Sequence, residues 1–217
     1  MKKIAVILSG CGVYDGAEIQ EAVLTLLHIS KASASYQCFA PDVDQMHVVN
    51  HITGAEMGES RNALVEAARI CRGEIKPLCD LKVENFDAVI LPGGFGAAKN
   101  LSNFAKDGAN CKVEPSTFKA LKAFADASKP AGYICITPAI IPLIYGQQAK
   151  CTIGNDAETI KAITQMGGEH VECAVENIVI DKQHNLVSTP AYMLAESILD
   201  ADAGIQKLVN EVLKMCD

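Results

Sequence analysis

No apolar run in this 217-residue chain approaches the ~20 residues needed to cross a bilayer, which excludes a helical membrane anchor. Lys2 and Lys3 resemble the basic start of a secretory signal. The apolar stretch 4–8 is too short for one, however, and runs straight into Ser9-Gly10-Cys11-Gly12, so secretion is not expected. Positive charge is scarce: Lys and Arg total 19 against 26 Asp and Glu, a formal net charge of −7. Nonspecific DNA or RNA binding needs the opposite balance, and no nucleic-acid partner is expected. No two cysteines are spaced as Cys-x-x-Cys, which removes the zinc-ribbon and thioredoxin-type signatures. Internal repeats, low-complexity tracts and linkers are missing too. At ~150 residues per domain the chain predicts one domain over 1–217.

What is present is core-forming material. Hydrophobic residues make up 49% and charged residues 21%, a composition that excludes disorder as the main state. The chain holds nine cysteines, an odd number, several of them inside apolar segments where a free thiol acts as a small hydrophobe. Such usage fits a reduced compartment, the cytoplasm or a comparable organelle interior, and the cytoplasm is the expectation.

KIAVIL (3–8) is a continuous aliphatic run, the mark of a strand buried on both faces, and it ends in a glycine-rich turn at 10–16. Ile19, Ala22, Val23, Leu26, Leu27 and Ser30 then recur at helical spacing over 17–31. Residues 36–40 predict a short strand stopped by Pro41, and 41–58 are irregular. ESRNALVEAARICR (59–72) reads as a helix started by polar residues. Residues 75–78 predict an edge strand, since Pro77 has no donor for a central ladder. DAVIL (87–91) is another buried strand, ending in Pro92-Gly93-Gly94-Phe95-Gly96. A helix over 115–128 and a strand over 131–134 come next, and Thr137-Pro138 opens another helix. Further on lie a strand at 151–153, a helix at 156–166 ended by Gly167-Gly168, and a hairpin of 177–181 with 185–189. Helical stretches occupy 193–216. This alternation predicts an α/β fold: a mainly parallel sheet with helices on both faces and a C-terminal hairpin.

Ligands of such sheets gather beyond the carboxyl ends of the strands, and three of those ends are unusual. Gly10, Gly12 and Gly16 come near a dinucleotide fingerprint, with Asp42 placed as a ribose-binding acid, but the spacing is not Gly-x-Gly-x-x-Gly. A tight strand–helix turn explains the glycines equally. The segment 92–96 lets backbone approach a ligand closely and offers N–H groups to an anion, or is itself a plain turn. The third, GYICITP (132–138), sets Cys135 at an abrupt strand–helix junction like a nucleophile elbow, without the full Gly-x-Ser-x-Gly pattern. A helix N-terminus beneath Cys135 is expected to lower its thiol pKa, and the Ile136 N–H to serve as one oxyanion donor. A buried structural cysteine is the plain alternative and suits the other eight. His47 and His51 have the spacing of a helical metal pair but no third ligand, so no metal is expected. His28 reads as a helix-face residue and His184 as a hairpin-turn residue.

LPGGFGAAKNLSNFA (91–105), GYICITPA (132–139), STPAYMLA (188–195) and the opening KKIAVILSGCGVYDGAEIQEAVLTLL (2–27) resemble the ThiJ/PfpI, amidotransferase-like superfamily. Within it the resemblance is to the enhancing-lycopene-biosynthesis or isoprenoid-biosynthesis glyoxalase (ElbB) group, over essentially the whole chain. It implies a flavodoxin-like three-layer sandwich, a cysteine nucleophile and commonly a homodimer. The group is associated with cofactor-independent conversion of glyoxal to glycolate, an activity also read as deglycation of early adducts. Carried over by position, the nucleophile is Cys135, the oxyanion glycine is Gly94 beside Ile136, and the acid of the first helix is Glu21, with Glu18 one turn earlier as fallback. Gly93 and Gly12 are the expected backbone contacts to substrate, and no cofactor is implied. One departure stands out. Many relatives place a histidine soon after the elbow helix, and KCTIGN (150–155) has none. His170-Val171-Glu172 echoes the His-x-Glu of glutamine amidotransferases but comes after a Gly-Gly turn. The leading expectation is a slow glyoxalase III-like lyase acting on glyoxal. Two rivals are a redox-sensing or regulatory module built on Cys135 and a glutaminase-like subunit delivering ammonia.

Overall fold

In the computed structural model, which describes residues 1–216, β1 (Lys3–Ile7) sends Ile4 and Val6 to one face of a sheet and Ala5 and Ile7 to the other. Successive strand side chains must alternate in this way. All four are fully buried, so both faces need a cover. Each fully buried Ile or Leu of this kind contributes about 1.5–3 kcal/mol.

The cover comes from the order of elements. After β1 come α1 (Ile19–Lys31), β2 (Ser35–Ala40), α2 (Ala63–Ala67), β3 (Ile75–Pro77) and β4 (Ala88–Leu91). Next are α3 (Phe95–Lys99), α4 (Phe104–Asp107), α5 (Pro115–Asp126), β5 (Ala131–Ile134) and α6 (Ile141–Tyr145). The chain ends through β6 (Lys150–Cys151), α7 (Ala157–Gln165), β7 (Glu169–His170), the hairpin β8 (Val179–Asp181) and β9 (Leu186–Thr189), and α8 (Ile198–Met215). Seven strands form one sheet in the order β3-β2-β1-β4-β5-β9-β8, parallel throughout except for β8 against β9. Helices α1, α2 and α8 pack on the Ile4 and Val6 face, and α3, α5, α6 and α7 on the opposite one. This is the flavodoxin-like α/β sandwich expected from the sequence, with its C-terminal hairpin. Because the chain leaves β1 toward β2 and returns on the other side as β4, a crevice opens over their carboxyl ends.

Several local expectations shift. Over 59–72 only 63–67 is α-helical: Asn62 caps it by accepting the Val65 N–H at 3.0 Å, and beyond Ala68 the bonds tighten to Arg69 N–H on Glu66 and Ile70 N–H on Ala67. Arg72, at φ 58°, then ends the segment. The strand near 151 pairs with β7 in a separate two-stranded sheet. The inner face of α1 is rotated from the predicted one. Ile19, Val23 and Leu27 are exposed, whereas Glu21, Leu24, Thr25, His28 and Ile29 are buried. His28 thus lies inside, its Nε2 2.6 Å from Asp202 Oδ1 on α8.

Candidate active site

β5 ends at Ile134, and the backbone turns at Cys135 with φ 63°. A non-glycine residue in this left-handed region costs about 1–3 kcal/mol, so the surroundings must hold it there. They do so with short bonds. The Cys135 N–H donates to the Thr189 carbonyl at 2.9 Å, and Thr137 Oγ1 accepts the Ile134 N–H at 2.8 Å while donating to the Ile134 carbonyl at 2.8 Å. The chain then makes a 3-10 turn, Thr137–Ile140, before the five residues of α6, in place of the expected helix opening at Thr137. The turn lifts the sulfur to the floor of a cavity of about 310 Å³, where Cys135 is 7% exposed.

Glu21 meets it from the first helix. Its side chain is wholly buried, with Oε2 accepting the Gly93 N–H at 2.8 Å, Oε1 accepting the Tyr192 N–H at 3.1 Å, and a hydrogen bond shared with the Cys135 thiol. Burial pushes this carboxyl up to about 8; the N–H donors of Tyr192 and Gly93 oppose the rise and the charge of Glu18 adds to it. The Cys135 thiol also lies well above the ordinary thiol range, first from burial and then from the charge of Glu21. The N–H groups of Gly94 and Ile136, both hydrogen-bonded to the sulfur, pull it back in part. The expected lowering of the Cys135 pKa is therefore reversed: one 3-10 turn offers little dipole, and desolvation outweighs it. At neutral pH both groups hold protons. The arrangement can donate a carboxyl proton to sulfur or oxygen and take one back, as a coupled pair.

The loop after β4 is bound to the loop after β1. The Glu18 N–H donates to Gly93 at 2.9 Å, the Phe95 N–H to Val13 at 2.8 Å and the Gly96 N–H to Gly16 at 2.9 Å. Gly94 adopts φ 97°, and a Cβ there would stand 2.3 Å from the Glu18 nitrogen, so only glycine fits. This leaves the Gly94 N–H facing the sulfur. Val13, Phe95, Ile136 and Met193 form apolar walls of the cavity, and Glu18, Asp156, Thr159 and Tyr192 supply its polar rim. Glu18 caps α1 by accepting the Glu21 N–H at 2.6 Å, and burial raises its pKa.

Cys135, Glu21, Glu18, Gly94 and Ile136 are thus brought together. Gly93 sits beside them, its N–H spent on Glu21. Gly12 is not in the cavity wall; its N–H donates to Ala17 at 2.9 Å, and its neighbour Val13 lines the wall instead. Within the 10–16 loop the Gly16 N–H donates to the Gly12 carbonyl at 2.7 Å and the Tyr14 N–H to His51 Nε2 at 3.2 Å. Asp42 accepts from Asn62 at 2.7 Å, away from the cavity. His170 Nε2 accepts the Ile153 N–H at 3.3 Å, and no histidine lines the cavity. His47 faces Glu56 at 3.4 Å, while His51 lies 3.8 Å from Asp15. Among the described residues no three His, Cys, Asp or Glu side chains gather as a metal site. His184 stands in the hairpin turn, 2.8 Å from Asp181. Sequence reasoning missed Asn100, whose buried amide donates to the Ser9 and Asp15 carbonyls at 2.8 Å each and accepts the Met46 N–H at 3.0 Å, joining the first loop to the 41–58 excursion. It also missed Asp156, Thr159 and Tyr192, whose residue types carry no signal until the fold gathers them.

No family model matches the chain. The human "Glutamine amidotransferase-like class 1 domain-containing protein 3, mitochondrial" is 44% identical, over 98% of this chain and 83% of that protein. The zebrafish "ES1 protein, mitochondrial" is 34% identical, over 98% of this chain and 85% of its own length. A crystal structure of an isoprenoid biosynthesis protein with amidotransferase-like domain from Ehrlichia chaffeensis superposes with a TM-score of 0.94 at 38% identity, covering 100% of both chains. Drosophila melanogaster DJ-1β, at 17% identity over 99% of this chain and 95% of its own, shares the fold alone with a TM-score of 0.53. The relatives' names overturn the cytoplasmic expectation, which cysteine content supports no better than any other reduced interior. With such identity along nearly its whole length, on a DJ-1/ThiJ/PfpI fold, the chain belongs to the family of ES1 and glutamine amidotransferase-like class 1 domain-containing protein 3.

Proposed function

We propose that the chain is a slow, cofactor-independent enzyme of the glyoxalase III type, a single domain acting on glyoxal and similar small reactive aldehydes. The observation that carries this reading is the buried pair of Cys135 and Glu21 under a small, mostly apolar cavity, with two backbone N–H groups aimed at the sulfur. Sulfur adds to one aldehyde carbon, giving a hemithioacetal whose oxygen faces the Gly94 and Ile136 N–H groups. Glu21, once it has released its own proton to water, removes the proton from that carbon and delivers one to the neighbouring carbon, through an enediol, to leave a thioester. Water then hydrolyses the thioester to glycolate and frees the thiol. One carbon is oxidised and the other reduced, so glyoxal plus water balances glycolate without an external electron carrier. Slow turnover is the consequence of a thiol that burial keeps protonated.

The absence of histidine from the cavity wall weighs against glutaminase chemistry, and the raised thiol pKa weighs against a peroxide sensor, which needs ready thiolate. The compartment proposed for this chain is the mitochondrion, after the names of its relatives. We read it further as a homodimer. Ile19, Val23 and Leu27, between 42 and 47% exposed, form one apolar stripe along α1 of the kind a second copy would cover; sedimentation analysis tests this. The chemistry is tested by NMR of glyoxal consumption in D2O without added cofactor. Glycolate carrying deuterium on its methylene carbon supports the enediol route, and glyoxal consumed without any glycolate overturns it.

A further inference from the structure

The cavity above Cys135 carries acid and no base. Glu18 and Asp156 stand in its wall with Glu21 beneath, and every other lining side chain is uncharged. Asp156 is held below the usual carboxylate range by the Thr159 hydroxyl and N–H, so it is negative at neutral pH. It also caps α7, accepting the Thr159 N–H at 2.8 Å, and so occupies the helix terminus that would otherwise attract an anion. One cation comes near from outside: Lys99 Nζ lies 5.7 Å from the Phe95 ring centroid, bonded to the Tyr14 carbonyl at 2.8 Å.

From this juxtaposition we infer that the pocket selects its substrates by charge, admitting uncharged or cationic electrophiles to Cys135 and repelling anionic ones, with Asp156 as the specificity-determining residue. The inference rests on the aldehyde reading above and narrows it. Neutral dialdehydes and aldehydes bearing an ammonium group fit, and aldehyde acids such as glyoxylate do not. The same field clears the product, because hydrolysis of the thioester creates a carboxylate beside Glu18 and Asp156. A single wall carboxylate, largely screened by water, lowers an anion's occupancy about threefold, and the pair about tenfold.

The test measures modification rates of Cys135 by methyl, 2-aminoethyl and 2-sulfonatoethyl methanethiosulfonate, resolved by peptide mass spectrometry, with the exposed Cys79 of the same molecule as reference. Relative to Cys79, the sulfonate reagent should lag the methyl reagent at Cys135 about tenfold, and the aminoethyl reagent should not lag. Asp156→Asn keeps the helix cap and should return about threefold of the lost sulfonate rate. Equal reagent ratios at the two cysteines, or no response in Asp156→Asn, overturn the inference. The two levels separate cleanly. Charge discrimination by a protein that leaves glyoxal untouched keeps this inference and sinks the aldehyde reading, whereas glycolate formed from glyoxal alongside equal reagent ratios at Cys135 and Cys79 sinks this inference alone.

Discussion

Replacing Glu21 by glutamine preserves the shape of a wholly buried side chain and removes its proton equilibrium. In the native protein burial lifts this carboxyl from 4.5 to about 8, so the folded state holds a proton that the unfolded chain releases earlier. A raised carboxyl contributes stability that is fully present below the unfolded value and lost as pH climbs through the folded one. The loss runs at about 1.4 kcal/mol per pH unit, about 5 kcal/mol in all by pH 8. Glutamine escapes that decline at a fixed cost. Both carboxyl oxygens accept backbone N–H groups, from Gly93 at 2.8 Å and Tyr192 at 3.1 Å, so the new amide must set its own NH2 against one of them. An unmade buried bond of this kind costs about 1–3 kcal/mol. Glu21→Gln should therefore be the less stable protein at pH 5 and the more stable at pH 8, the two curves crossing between about pH 5 and 7. Urea unfolding at fixed ionic strength across that range measures it, and taking the difference between the two proteins cancels the other titrating groups. Parallel curves would show that Glu21 is ionised at neutral pH and would refute the proton-holding pair.

The same geometry sets four further outcomes. Gly93→Ala places a Cβ 2.4 Å from the Cys135 Cβ and 2.6 Å from Glu21 Oε2, and should cost about 1–3 kcal/mol by thermal or urea unfolding. Gly58→Ala, with nothing within 4 Å, should stay within about 0.5 kcal/mol. Asn100→Asp turns an amide donor into an acceptor against the Ser9 and Asp15 carbonyls and should lose about 1–3 kcal/mol in the same measurement. Alkylation of Cys135 by iodoacetamide should still accelerate as pH approaches about 10, since the thiol is raised; a plateau below about pH 8 would contradict that.

The layers of the fold are legible in the sequence because they depend on short-range pattern. The run at 3–8 and DAVIL at 87–91 are apolar on both faces, and Pro77 marks a sheet edge, where β3 indeed lies. Cys135 is legible from its place at a strand end. Glu21 is not legible from residue chemistry, because a glutamate amid Ile19, Val23 and Leu27 looks like the wet side of a helix until α8 and the sheet take the opposite face. The direction of the thiol pKa escapes the sequence for the same reason. The helix-terminus effect is local, whereas the desolvation that defeats it comes from residues as distant in sequence as Glu21 and Tyr192. Lys150–Cys151 does not join the main sheet because Asp181, through its bond to the Lys150 N–H at 2.8 Å, and the pairing with β7 hold it outside.

The central claim is that the Cys135 sulfur is the nucleophile for an aldehyde, and the most direct measurement is glycolate formed from glyoxal by the purified protein and by Cys135→Ser, with no glutathione, metal or nicotinamide added. Slow, sustained glycolate production by the native protein is expected, with none above background from the serine variant. Equal production by both, or production that begins only when a nicotinamide is supplied, would contradict it.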